Sequence, residues 1–180
     1  MIEKLRAATR EQHVALENKL FSNKISNLSL EKKELILLLK INYNYYSEIE
    51  KLTNQLSKYQ INRAQFAKQD LSNMNETSSV SLPFDRDNMS LSFLYGVLYV
   101  SLGATLGSKM IASKLEKNEN IDTNTFSFYQ NTDHEFQLWK TFLSQIKENT
   151  LQLDEENVID GAQKSFAYFD DISKIFLQIE

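Results

Sequence analysis

The chain has no cysteine, one proline, four glycines and two histidines in 180 residues. Without cysteine there can be no disulfide, zinc–thiolate site, iron–sulfur cluster or cysteine nucleophile. So little proline and glycine leaves few turns for an all-β fold. The apolar residues, 42% of the chain, recur instead at helical spacing. We therefore expect an all-α, compact single-domain bundle of six to eight helices spanning residues 1–180, burying about 70% of its unfolded surface. A basic stripe is missing too. A net charge of −4 and a pI near 5.3 argue against a nucleic-acid groove. The amino-terminal stretch MIEKLRAATREQH lacks the apolar region of a signal peptide, so a cytoplasmic location is expected.

What glycine there is lies concentrated. Gly96, Gly103 and Gly107 fall in the uncharged segment Met89 to Ser108. A glycine inside a helix costs about 1 kcal/mol relative to alanine, so a glycine-poor chain should avoid three there. Gly103 and Gly107 are four apart and share a helix face, stripped to backbone. Bare backbone admits either a neighbouring helix or a planar ligand. The segment is also about long enough to span a bilayer, but eight of its twenty residues are serine, threonine or glycine. No basic cluster flanks its amino-terminal side, and a buried central helix fits better than a membrane span.

Apolar spacing and capping residues predict the remaining helices. The first runs from about Ile2 to Leu20, followed by a polar loop, Ser22 to Asn27. Ser29 is a candidate N-cap for a helix from Leu30 to about Lys58. A third covers about Asn62 to Met74, and the polar segment Asn75 to Asn88, with Pro83, is a long loop. The glycine-bearing helix spans about Met89 to Lys117 and should bend at its glycines. After a polar connection from Asn118 to Asn124, helices are expected over Asp133 to Lys147 and Asp154 to Ile179.

Candidate chemistry is sparse. On the first helix Arg6, Thr9, His13 and Glu17 share one face. An imidazole one turn from a carboxylate suits iron ligation. The carboxylate would accept the other ring N–H and make the ligand more basic, and an arginine two turns back could reach an anionic ligand edge. A structural role for His13 stands beside that reading. His134 lies in a polar helix start and is expected at the surface or as a cap. Tyr43, Tyr45 and Tyr46 are expected as core and rim of their helix, and Lys140 beside Trp139 as a snorkelling side chain.

Two segments together resemble a known family. LRAATREQHVALENKLF is similar to the proximal helix of heme oxygenases, where a histidine ligates heme iron and an acidic residue follows one turn later. YVSLGATLGSKMI resembles the family's distal helix, whose glycines let backbone lie almost against the heme face. More weakly, RAQFAKQDLSNM resembles the family's helix ending in Asp-Leu, and FYQNTDHEFQLWKTFLSQI and AQKSFAYFDDI resemble the last two helices of small bacterial members. The resemblance implies His13 as the proximal iron ligand, Glu17 as its partner, Arg6 at a heme propionate, and Gly103 and Gly107 as the distal, catalytic-face glycines. By register it also implies Lys140 at a propionate and Tyr46 as a distal tyrosine that orders water. Heme would be substrate and cofactor. It would be cleaved by O2, with electrons from an external ferredoxin, flavodoxin or reductase, to biliverdin, carbon monoxide and iron.

Two departures from the pattern stand out. Where mammalian-type members have aspartate after the first distal glycine, and many bacterial ones serine, this chain has Ala104. The closing glycine pair reads Gly107-Ser108. These motivate a second expectation, a heme-binding or heme-carrying protein of the same fold without turnover. A thiamin-degrading enzyme of this bundle type commonly uses a cysteine, which is lacking. A di-iron oxidase would need Glu-x-x-His patterns that neither histidine supplies. A plain helical interaction protein, contacting partners through the loop Asn75 to Asn88, is the last alternative.

Overall fold

A computed structural model describes residues 1–78, 80–85, 89–148 and 151–177 of the chain. Among these the helices are α1 (Ile2–Lys19), α2 (Ser22–Ser26), α3 (Lys32–Thr53), α4 (Arg63–Asn73), α5 (Leu91–Gly103), α6 (Thr105–Leu115), α7 (Ser127–Gln130), α8 (Asp133–Glu148) and α9 (Glu155–Leu177), with a 3₁₀ turn at Thr123–Thr125. Two of the nine, α2 and α7, are only 5 and 4 residues long. The seven longer ones are the expected all-α bundle, and the described residues include no strand.

The bundle is organised around α5, the most apolar helix. Nearly all of its residues are buried, starting from a Ser90 N-cap whose hydroxyl accepts from the Phe93 N–H. Leu91–Leu115 is long and apolar enough to cross a membrane, but 67% of its most apolar window is buried by neighbouring helices. The tightest packing is between α5 and α9. A Cβ on Gly96 would fall 2.0 Å from the Val158 carbonyl oxygen, and one on Gly161 would fall 2.1 Å from that of Phe93. Only glycine at both positions lets the two backbones meet at this distance.

α3 lies across both helices. Tyr45 hydrogen-bonds Ser165 on α9 through its hydroxyl at 2.7 Å, and Tyr46 donates to the Ser101 carbonyl on α5 at 2.9 Å. α1 docks on α9, where Gln12 donates to the Gln163 carbonyl and Gln163 donates to that of Ala8.

Local expectations needed four corrections. Ser22 to Asn27 is not a loop: its residues 22–26 form α2, because Ile25 is buried and leaves the polar residues outside. α3 is capped by Glu31, not Ser29, through a reciprocal capping box with Glu34; the Ser29 N–H instead bonds the Lys24 carbonyl. α3 ends at Thr53, short of Lys58, because the Asn54 side chain folds the chain back by accepting from the Ile61 N–H at 3.0 Å. The aromatic stretch from Phe126 contains a helix, α7, that its spacing did not announce. The glycine-bearing helix does break, at Ala104, between α5 and α6. Part of the loop Asn75 to Asn88, and the end of the last helix at Ile179, lie outside the described residues.

Candidate functional site

The candidate site starts on one face of α1. Thr9 is buried, and its hydroxyl donates to the Leu5 carbonyl at 2.8 Å. Arg6, one turn earlier, is exposed. Both approach the phenol of Tyr99 on α5. Burial pushes that phenol's pKa up, while hydrogen bonding to Thr9 and the nearby Arg6 guanidinium pull it back. One turn beyond Thr9, His13 is more than half exposed, its Nδ1 lying 3.6 Å from Glu17 Oε2. The ring also meets Phe166 of α9 edge-on, with centroids 6.0 Å apart. Phe166 and Glu17 thus flank the imidazole and leave Nε2 as the nitrogen remote from the carboxylate.

Opposite this face stand α5 and α6. Tyr99 and Gly103 are four apart, so the ridge that meets α1 at Thr9 continues as bare backbone. A Cβ on Gly103 would make only ordinary contacts, 3.8 Å from the edge of the Trp139 ring, and one on Gly107 would meet nothing within 4 Å. Here the glycines serve no helix–helix contact, in contrast to Gly96. Apolar side chains of α6 lie in the open beside them: Leu106 and Met110 are 51% and 66% exposed. Beyond this stretch the chain closes again, where Lys114 of α6 donates to the Ser26 carbonyl after α1 and Asn118 donates to that of Leu30. The Tyr99 contact at one end and these bonds at the other bracket a candidate slot. One side carries His13, and the other carries Gly103, Leu106, Gly107 and Met110.

Tyr46 belongs under this slot rather than in it. Burial pushes its pKa up to about 12, with Arg63 pulling the other way, and it holds the α5 carbonyl two residues before Gly103. Beneath it lies a charged cluster that spacing did not reveal. Arg63 is fully buried, donates to the carbonyls of Asn131 and Phe128, and stacks on the Phe128 ring at 4.0 Å. Seven residues on, Asp70 accepts from the N–H groups of Ser127 and Phe128, so α4 grips α7 at both ends. Glu50 accepts from the Ala64 N–H, and burial raises its pKa to about 7.

Lys140 stands apart from the Arg6 group. It is exposed on α8, its ammonium 4.6 Å from the centroid of Phe136 one turn earlier. His134 is exposed and bonded to the Gln60 carbonyl at 2.7 Å, a surface tie as expected. The residues that sequence reasoning missed are Tyr99 and Trp139. Tyr99 had a legible signal, one turn before Gly103; Trp139 had none, since its neighbour is set by packing of α8 on α5. Another space lies on the opposite side of α1, a polar groove of about 610 Å³ between α1 and α9 lined by Ala8, Gln12 and Gln163 among others.

Among the described residues no three histidine, aspartate or glutamate side chains gather where they could hold a metal ion. A metal at this site would have to bring most of its own ligands, as porphyrin iron does, and ask the protein for one nitrogen. The open glycine backbone, the apolar rim and the cationic Arg6 fit such a flat, anionic-edged group.

The sequence matches no family model and no characterised protein. At the level of structure, the chain is similar to the NO- and CO-bound heme oxygenase from Neisseria meningitidis, with a TM-score of 0.76 and 17% identity over 98% of this chain and 91% of that one. The fold is heme-oxygenase-like.

Proposed function

We propose that this chain is a cytoplasmic, single-domain heme oxygenase that binds heme between α1 and the α5–α6 break and cleaves it oxidatively. The observation that carries the reading is the pair Gly103 and Gly107. Each has room for a side chain and touches no neighbouring backbone, so the cost of a helical glycine is explained by something outside the chain that comes close. His13 would supply Nε2 to iron, with the Glu17 carboxylate 3.6 Å from Nδ1 on the other side of the ring. Arg6, beside the Tyr99 phenol, would take a propionate, and Tyr46 holds the Ser101 carbonyl two residues before Gly103. Lys140 reaches a propionate only by leaving Phe136. When bound, heme with O2 and electrons from an external ferredoxin, flavodoxin or reductase supplies the chemistry that opens the ring to biliverdin, carbon monoxide and iron.

A specific observation favours the runner-up, a heme carrier of the same fold. Ala104 offers no polar group, and the two hydroxyls beside it are engaged. Thr105 donates to the Leu102 carbonyl at 2.6 Å, and Ser108 donates to that of Ala104 at 3.4 Å. Neither has a free proton to direct at a bound ligand. A hemin titration of the protein beside His13→Ala, then reductant in air, separates the readings. A sharp Soret band lost in the variant, followed by decay to a biliverdin spectrum, is the expected result. Binding through His13 without decay identifies the carrier, and no saturable binding refutes both.

A further inference from the structure

We propose that Trp139, the chain's sole tryptophan, is a positioning residue that sets how close the α5–α6 backbone comes to a ligand in the slot; this rests on the heme reading above. Trp139 is 6% exposed and lies on α8, outside the α1 and α5–α6 motifs. Its ring is stacked on Phe142 at 14° and 5.4 Å, and tilted against Tyr99 at 5.9 Å. Cη2 and Cζ3, the far edge of the indole, sit 3.8 Å from the place of a Gly103 Cβ.

Three features make this a wedge. The edge meets α5 at its last residue, where the backbone breaks before α6 starts at Thr105. The rigid ring lies one van der Waals contact beyond the open place of a Gly103 side chain, so it backs the break from inside the bundle and limits how far it can sink. Phe142, fully buried, stacks on one face of the ring, and Tyr95 stacks on Phe142 in turn at 5.8 Å, so the plane of the ring is held by a buried aromatic stack. A smaller residue at 139 opens a void beneath Gly103, into which the break can relax. The slot then widens on the α6 side, with His13 unmoved on α1.

The test uses the hemin-loaded protein and two added ligands of different bulk, cyanide and 4-phenylimidazole. In Trp139→Ala the affinity for 4-phenylimidazole should rise at least tenfold relative to that for cyanide, because only the bulky ligand was resisted by the close backbone. Trp139→Phe should keep the wild-type ratio. General loss of stability would weaken both ligands alike and leave the ratio unmoved. Trp139→Leu replaces Trp139→Ala if the latter loses helix content. In the ligand-free protein, amide hydrogen exchange at Gly103 to Ser108 should accelerate in the small variant while that of α9 holds steady. An unchanged ligand ratio with normal hemin binding overturns the wedge alone. Unchanged exchange in the free protein does the same without reference to heme, and failure of the wild type to bind hemin overturns the parent reading.

Discussion

Gly107→Ala should make the ligand-free protein more stable and its grip on hemin weaker. The two effects have separate origins. A Cβ at position 107 meets nothing within 4 Å, so the methyl enters without collision. What remains is the backbone term: alanine exceeds glycine in a helix by about 0.5–1 kcal/mol, less near the first turn. For a chain of this size 1 kcal/mol moves the melting temperature by roughly 2–4 °C, so a rise of about 1–4 °C is expected. On the ligand side the methyl occupies the space that a flat group would use. Losing about 1.4 kcal/mol there lowers affinity about tenfold. Gly96→Ala is the control with the opposite sign, because its Cβ would lie 2.0 Å from the Val158 oxygen and 2.6 Å from the Ala162 nitrogen. Both are backbone atoms that cannot step aside, so α5 and α9 must separate, at a cost of about 1–3 kcal/mol or more. Thermal melts followed by circular dichroism, with hemin titration at the Soret band, measure both quantities. A Gly107→Ala protein that binds hemin as tightly as wild type would refute the ligand role of this backbone. One that is destabilised would refute the claim that the space is open.

Three further outcomes are expected. Arg6→Gln should weaken hemin binding several-fold in a salt-dependent way, since a partly screened charge pair is worth about 1 kcal/mol, and Lys140→Gln should do so less, its ammonium lying over Phe136; equilibrium titrations at low and high salt compare them. Glu50 has a pKa raised to about 7 by burial, with Glu135 adding to the shift and the Ala64 N–H and Arg63 opposing it. The folded protein therefore holds this proton where the unfolded chain has lost it, so the contribution of Glu50 to stability is complete at low pH and falls as pH rises from about 4.5 to 7. Glu50→Gln keeps an acceptor for the Ala64 N–H, so urea melts across pH 5 to 8 should show its stability gaining on wild type as pH rises. Glu17→Gln should leave the fold intact, as the side chain is exposed, and shift the Soret maximum of the hemin complex by weakening the hold on Nδ1 of His13.

Much of the architecture was legible because it rests on short-range periodicity. The stripe Leu5, Thr9 and Leu16 on α1 and the long apolar run of α5 report burial through spacing alone. So does the His13–Glu17 pair, whose i, i+4 relation guarantees proximity on any helix. The helix ends were less legible. Glu31 rather than Ser29 caps α3 because Ser29 is already used to close α2, a competition that a local motif does not disclose. The glycines illustrate the boundary best. All three in the α5–α6 region look alike as letters, yet Gly96 is there for α9 and the other two are not.

From the sequence alone follow an all-helical chain without thiol chemistry, one α1 face carrying Arg6, Thr9, His13 and Glu17, and a glycine-stripped segment that something must approach. Which neighbour approaches each glycine was decided only by tertiary packing, because a missing side chain carries no information about what fills its place. The same holds for Tyr99 meeting Thr9 and Arg6, for Trp139 beneath Gly103, and for Arg63 sealed among carbonyls and carboxylates under Tyr46. Trp139 and Gly103 are 36 positions apart, Arg63 and Asn131 68, and Tyr99 and Thr9 90, all beyond the reach of any helical period.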